Sequence, residues 1–84
     1  MKIAVDISLY PLADDFLSPI EEIVERLNER DDVAVQTNRM STQVVGEYEA
    51  VMTLLQGEIK RCFDRVPKAV FAIKILNNPI EQDR

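Results

Sequence analysis

The chain reads as an α+β fold of element order βαββαβ on three observations. Residues alternate between an apolar and a more polar face from Lys2 to Tyr10, two amphipathic stripes recur at helical spacing, and a run apolar on both faces lies near the end. With 84 residues, 46% hydrophobic and 30% charged, the composition suits one globular domain over residues 1–84.

In the first strand, Ile3, Val5, Ile7 and Leu9 share one face and Ala4, Asp6, Ser8 and Tyr10 the other. Pro11 ends it, and Asp14-Asp15 fall in the following loop. Ser18-Pro19-Ile20-Glu21 has the form of a capping box with proline at the first helical position, which predicts a helix from Pro19. Ile20, Ile23, Val24 and Leu27 make its apolar stripe, opposed by Glu21, Glu22, Glu25, Arg26 and Glu29, and it stops near Arg30. Past Asp31-Asp32, Val33, Val35 and Thr37 alternate with Ala34, Gln36 and Asn38. A second extended run from Ser41 to Val45 follows so closely that the two strands form a hairpin. Tyr48, Val51, Met52, Leu55, Ile59, Cys62, Phe63 and Val66 recur at three- and four-residue steps as a long second helix, closed by Pro67.

The last strand, Ala69 to Leu76, sets Phe71, Ile73 and Ile75 against Val70, Ala72 and Leu76, with Lys74 its one charge. Right-handed crossovers bring both helices to the same side of the sheet. The expected architecture is therefore a ferredoxin-like sandwich, a four-stranded antiparallel sheet with two helices on one face and the other face bare. A chain this short buries only about 60% of its unfolded surface, so a second subunit is the simplest cover. A homodimer or homotetramer through the sheet face is expected. Asn77 to Arg84 reads as a polar tail, frayed or docked on a neighbour.

A formal charge of −5 repels phosphate backbones, and aromatics at 6% are too few for an RNA-binding sheet, so no nucleic-acid partner is expected. No run approaches the roughly 18 apolar residues of a membrane span and no cleavable leader is visible, which points to the cytoplasm and away from membranes. One cysteine and no histidine argue against a disulfide, a metal site or a redox cofactor. Without histidine, a phosphate loop or a nucleophile set, no catalytic residue is assigned and an enzyme is not expected. A carboxylate base at Asp6 or Glu47 is the one catalytic alternative.

Asp6 and Ser8 lie on the bare face, where the usual strand order sets Lys74 beside them; an Asp6–Lys74 ion pair is the structural reading. Asn38, Arg39, Met40, Ser41, Thr42 and Glu47 gather polar groups around the hairpin, either for turn chemistry or for a ligand. Glu47 suits the dipole of the second helix or an amine on a ligand. Cys62, inside the apolar stripe, reads as a small buried hydrophobe.

Three segments carry a family resemblance: Ile7-Ser8-Leu9-Tyr10-Pro11, the run from Thr37 through Asn38-Arg39-Met40-Ser41-Thr42-Gln43-Val44-Val45-Gly46-Glu47 to Tyr48, and Lys68-Ala69-Val70-Phe71. Together, from Lys2 to about Asn77, the chain resembles the YkoF-like thiamine-binding protein family of small bacterial, archaeal and fungal proteins. The resemblance implies ferredoxin-like subunits that pair through their sheets into dimers and often tetramers. It also implies a pocket for thiamine or its hydroxymethylpyrimidine moiety near subunit contacts. On that reading Ser8, Asn38, Ser41, Thr42 and Glu47 are the polar ligand set, with Met40 and Tyr10 as walls. The function so implied is non-enzymatic binding as a carrier or sensor in thiamine metabolism. The alternative is a homo-oligomeric structural or regulatory module with no thiamine ligand.

Overall fold

A computed structural model describes residues 1–79. The elements are β1 (Lys2–Pro11), α1 (Leu17–Asn28), β2 (Ala34–Thr37), β3 (Thr42–Glu47), α2 (Tyr48–Arg65) and β4 (Ala69–Asn77). The strands form one sheet of order β2-β3-β1-β4 with every neighbouring pair antiparallel. This is the ferredoxin-like α+β arrangement that the sequence predicts.

The alternation of β1 becomes burial because β1 is a central strand. Val5 stands between Val44 and Ile75, and Ile7 between Thr42 and Ile73, so inward residues form rows across three strands. Ile23 and Leu27 of α1 and Val51, Leu54 and Leu55 of α2 close over these rows, with Ile3, Val5, Leu27, Val44 and Val51 essentially inaccessible. The opposite rows, Ala4, Asp6, Ser8 and Tyr10 beside Leu76, Lys74, Ala72 and Val70, carry no helix among the described residues. Tyr10, Val70 and Leu76 are exposed there.

Several local expectations are corrected. The helix predicted from Pro19 begins at Leu17, and the Ser18–Glu21 capping box does not form. Asp15 acts one turn earlier: its Oδ1 accepts the Ser18 N–H at 3.1 Å, and the Ser18 hydroxyl, then that N–H, hold the Asp15 carboxyl below the usual range. A charged acceptor beside free helical N–H groups outcompetes a serine hydroxyl. The third strand starts at Thr42 and runs on to Glu47, because pairing of Lys2 with Glu47 and Ile3 with Gly46 keeps both residues in the sheet. In α2 the buried residues are Val51, Leu54, Leu55 and Glu58, a stripe turned from the one predicted, while Tyr48 and Phe63 are exposed. Phe63 instead meets Phe71 edge to face, with ring centres 5.7 Å apart. Asn77 closes β4 rather than opening the tail, and the expected tail beyond Pro79 lies outside the described residues.

Candidate functional site

One end of the sheet is built with a gap. The β1–β4 ladder continues to Pro11 and Ala69, but the β1–β3 ladder stops at Ile7 and Thr42, where the β2–β3 turn peels away. Ser8, Leu9 and Tyr10 form one wall of the resulting cleft, residues 37–42 the other, and α1 covers it through Ile20, Ile23, Val24 and Leu27. Its volume is about 190 Å³.

Local chemistry explains the turn. Asn38 Oδ1 accepts the N–H groups of Met40 (2.7 Å) and Ser41 (3.0 Å), and the Asn38 N–H donates to the Ser41 carbonyl (3.0 Å), the use expected of asparagine at a turn. The Asn38 carbonyl oxygen is thereby committed and its amide NH₂ is the group left for a ligand. Ser41 Oγ donates to Asp6 Oδ1 at 2.5 Å, tying the turn to β1. A hydroxyl engaged as a donor in this way offers a ligand only its lone pairs. Thr42 is buried, and its Oγ1 lies 3.1 Å from Thr37 Oγ1 across the hairpin. Ser8 lines the cleft half-buried, while Met40 stands out from the turn at 84% exposure.

The structure thus brings Ser8, Asn38, Met40, Ser41 and Thr42 together around one cleft, with Tyr10 at its edge. Glu47 is placed elsewhere. It lies at the far end of β3, about 16 Å from Thr42 at roughly 3.3 Å per extended residue. There its Oε1 is 3.3 Å from the Met1 amine. It caps α2 from extended backbone without a side-chain cap bond.

On the open sheet face Lys74 Nζ lies 3.7 Å from Asp6 Oδ2, as the Asp6–Lys74 register dictates. Asp6 therefore links the open face to the cleft through Ser41, a coupling the sequence spacing does not display. The cleft's apolar cover was also missed. Its one sequence signal is the width of the α1 stripe, where Ile20 and Val24 flank the more buried Ile23 and Leu27.

A second concavity, about 250 Å³, lies between the helices. Arg26 Nε holds both oxygens of the buried Glu58 at 3.0 and 3.1 Å, and Glu22 accepts from Arg65 and Arg61. Arg65, then Arg61, hold the Glu22 carboxyl below its usual range. Burial pushes the Cys62 thiol up, away from a reactive thiolate. The charged groups here satisfy one another. Among the described residues no cluster of side chains could hold a metal, and no helix is long and apolar enough to cross a membrane.

Fold and cleft define a class: a small ferredoxin-like α+β protein with a polar-rimmed pocket beside its central strand. Within that class the chain belongs to the thiamine-binding protein family, whose model matches residues 5–83. It is similar to protein SP2199 of Streptococcus pneumoniae at a TM-score of 0.86 and 20% identity, over 95% of this chain and 90% of that one. A candidate thiamine biosynthesis/salvage protein of Thermotoga maritima aligns at 0.82 and 19% identity, over 93% and 85%. A domain of unknown function from Bacillus cereus aligns at 0.76 and 21%, over 94% and 78%. At such identities the likeness is one of fold. No curated protein sequence matches the chain.

Proposed function

We propose that the protein binds thiamine or its hydroxymethylpyrimidine moiety in the hairpin cleft and acts in the cytoplasm as a non-catalytic carrier or sensor. One observation carries this: in a thiamine-binding family member, Ser8, Asn38, Ser41 and Thr42 rim a single cleft whose cover is apolar. A heteroaromatic ring suits such a site, with a flat apolar contact above and hydroxyl and amide groups at its edge. The acidic chain, at −5, also favours a cationic thiazolium over an anion.

The proposed working form is a homo-oligomer, dimer or tetramer, paired through the open sheet face. Exposed Tyr10, Val70 and Leu76 support this, since apolar rows across one face mark association surfaces. Glu47, remote from the cleft of its own subunit, would join a ligand site only across such a contact. The open face also favours a second reading, an assembly module with no thiamine ligand.

Calorimetric titration with thiamine and with hydroxymethylpyrimidine separates the two. Saturable heat that Asn38→Ala weakens by about tenfold or more supports the ligand reading, the loss of one or two polar contacts being of that size. Absence of heat with either compound at millimolar concentration transfers the assignment to the assembly module.

A further inference from the structure

The end of the β3 ladder leaves backbone groups of β1 unpaired, and which ones follows from the strand's alternation. The Leu12 N–H donates to the Lys68 carbonyl at 2.9 Å and the Asn78 N–H to the Lys2 carbonyl at 3.2 Å, so even-numbered β1 residues turn their backbone groups toward β4. The Tyr48 N–H donates to the Met1 carbonyl at 2.8 Å, so odd-numbered residues turn theirs toward β3. Ile7 still meets Thr42 there, but Leu9, the next residue facing that way, does not meet Met40. The Met40 N–H has turned back to Asn38. Leu9 N–H and C=O thus have no partner among the described residues, although Leu9 is only 9% exposed. Buried backbone groups are almost always paired.

Pro11, the following odd residue, has no N–H, so the free edge offers one donor, Leu9 N–H, beside the Leu9 carbonyl. Leu9 lines the hairpin cleft under the apolar residues of α1. We propose that this Leu9 edge selects the ligand by pairing, as a missing strand would, with a planar heterocycle carrying an acceptor nitrogen beside an amine donor. A 4-aminopyrimidine has that edge; a carbonyl-only or phosphate ligand does not. The inference rests on the proposed ligand reading and deepens it, since it assigns the selecting groups to the backbone rather than to the hairpin side chains.

The test is an NMR titration of the ¹⁵N-labelled full chain with hydroxymethylpyrimidine and with its analogue lacking the 4-amino group, combined with amide hydrogen exchange. In the free protein the Leu9 amide is expected to exchange about a hundredfold faster than those of Val5 and Ile7. Saturating hydroxymethylpyrimidine should slow it about tenfold or more and shift its resonance, and the analogue should bind about tenfold more weakly. A Leu9 amide as protected as Ile7 in the free protein overturns the inference. So does saturation that shifts cleft resonances but leaves Leu9 unchanged, or equal affinity for the analogue; in those cases the ligand reading stands without it. If no resonance moves at millimolar hydroxymethylpyrimidine, both fall together.

Discussion

Gly46→Ala isolates the packing at the seam between sheet and helices. A Cβ on Gly46 would lie 3.0 Å from Val33 Cγ1 and 3.3 Å from Val51 Cγ2. Val51 is fully buried, whereas Val33, half-buried at the entrance to β2, is the neighbour with room to give. Because Gly46 has no positive φ, alanine fits the backbone and gains about 0.4–1 kcal/mol by restricting the unfolded chain. Overpacking costs about 1–3 kcal/mol. The clash wins, and the expected net loss is about 1–2 kcal/mol, from a total stability of about 4–13 kcal/mol at this length. In urea unfolding followed by circular dichroism, a slope of about 1 kcal/mol per molar translates that loss into a midpoint lower by about 1–2 M. Val33→Ala removes the nearer contact, so in the double variant the Gly46→Ala increment should shrink by about half or more. An unchanged or raised midpoint for Gly46→Ala, or increments that simply add, refutes this account. If the double variant keeps ligand affinity, the glycine of the Gly46-Glu47 pair serves packing.

Other predictions address charge, the open face and the thiol. Since Arg65 and Arg61 depress the Glu22 pKa, the stabilisation they lend is full above its usual 4.5 and disappears as the pH falls through the lower folded value. Unfolding free energies of wild type and Glu22→Gln from urea titration should therefore differ modestly at pH 7, by less than about 1 kcal/mol for so exposed a cluster, and converge once the pH falls below the lowered folded value. Leu76→Lys puts a second charge beside Lys74 on the bare face and should lower the assembled mass in light scattering, with the circular dichroism spectrum unchanged. Because burial raises the Cys62 pKa, native protein should react with iodoacetamide near neutral pH about tenfold or more slowly than urea-unfolded protein, as mass spectrometry would show.

How far the site was legible depends on the range of the interactions that form it. The Asn38 turn is local: an asparagine bonding N–H groups two and three residues on needs nothing but its neighbours, and the hairpin reads from the sequence for that reason. The capping box of α1 was equally local and failed, because a nearer charged rival, Asp15, stood in the loop before it. Glu47 illustrates a different limit. It follows Thr42 closely in sequence, but an extended strand converts that proximity into opposite ends of the sheet. The Ser41–Asp6 bond spans 35 positions and arises only from the β1–β3 register.

The sequence alone determined the order of elements, the inward face of β1 and the bare opposite face, because periods of two and three to four residues state which side chains must leave water. Tertiary structure decided where the ladder of β3 stops against β1, and with it the cleft, the free Leu9 edge and the remoteness of Glu47. Those depend on register between strands far apart in the chain, and a hydrophobic pattern constrains register only to the correct face, not to the residue at which pairing ends.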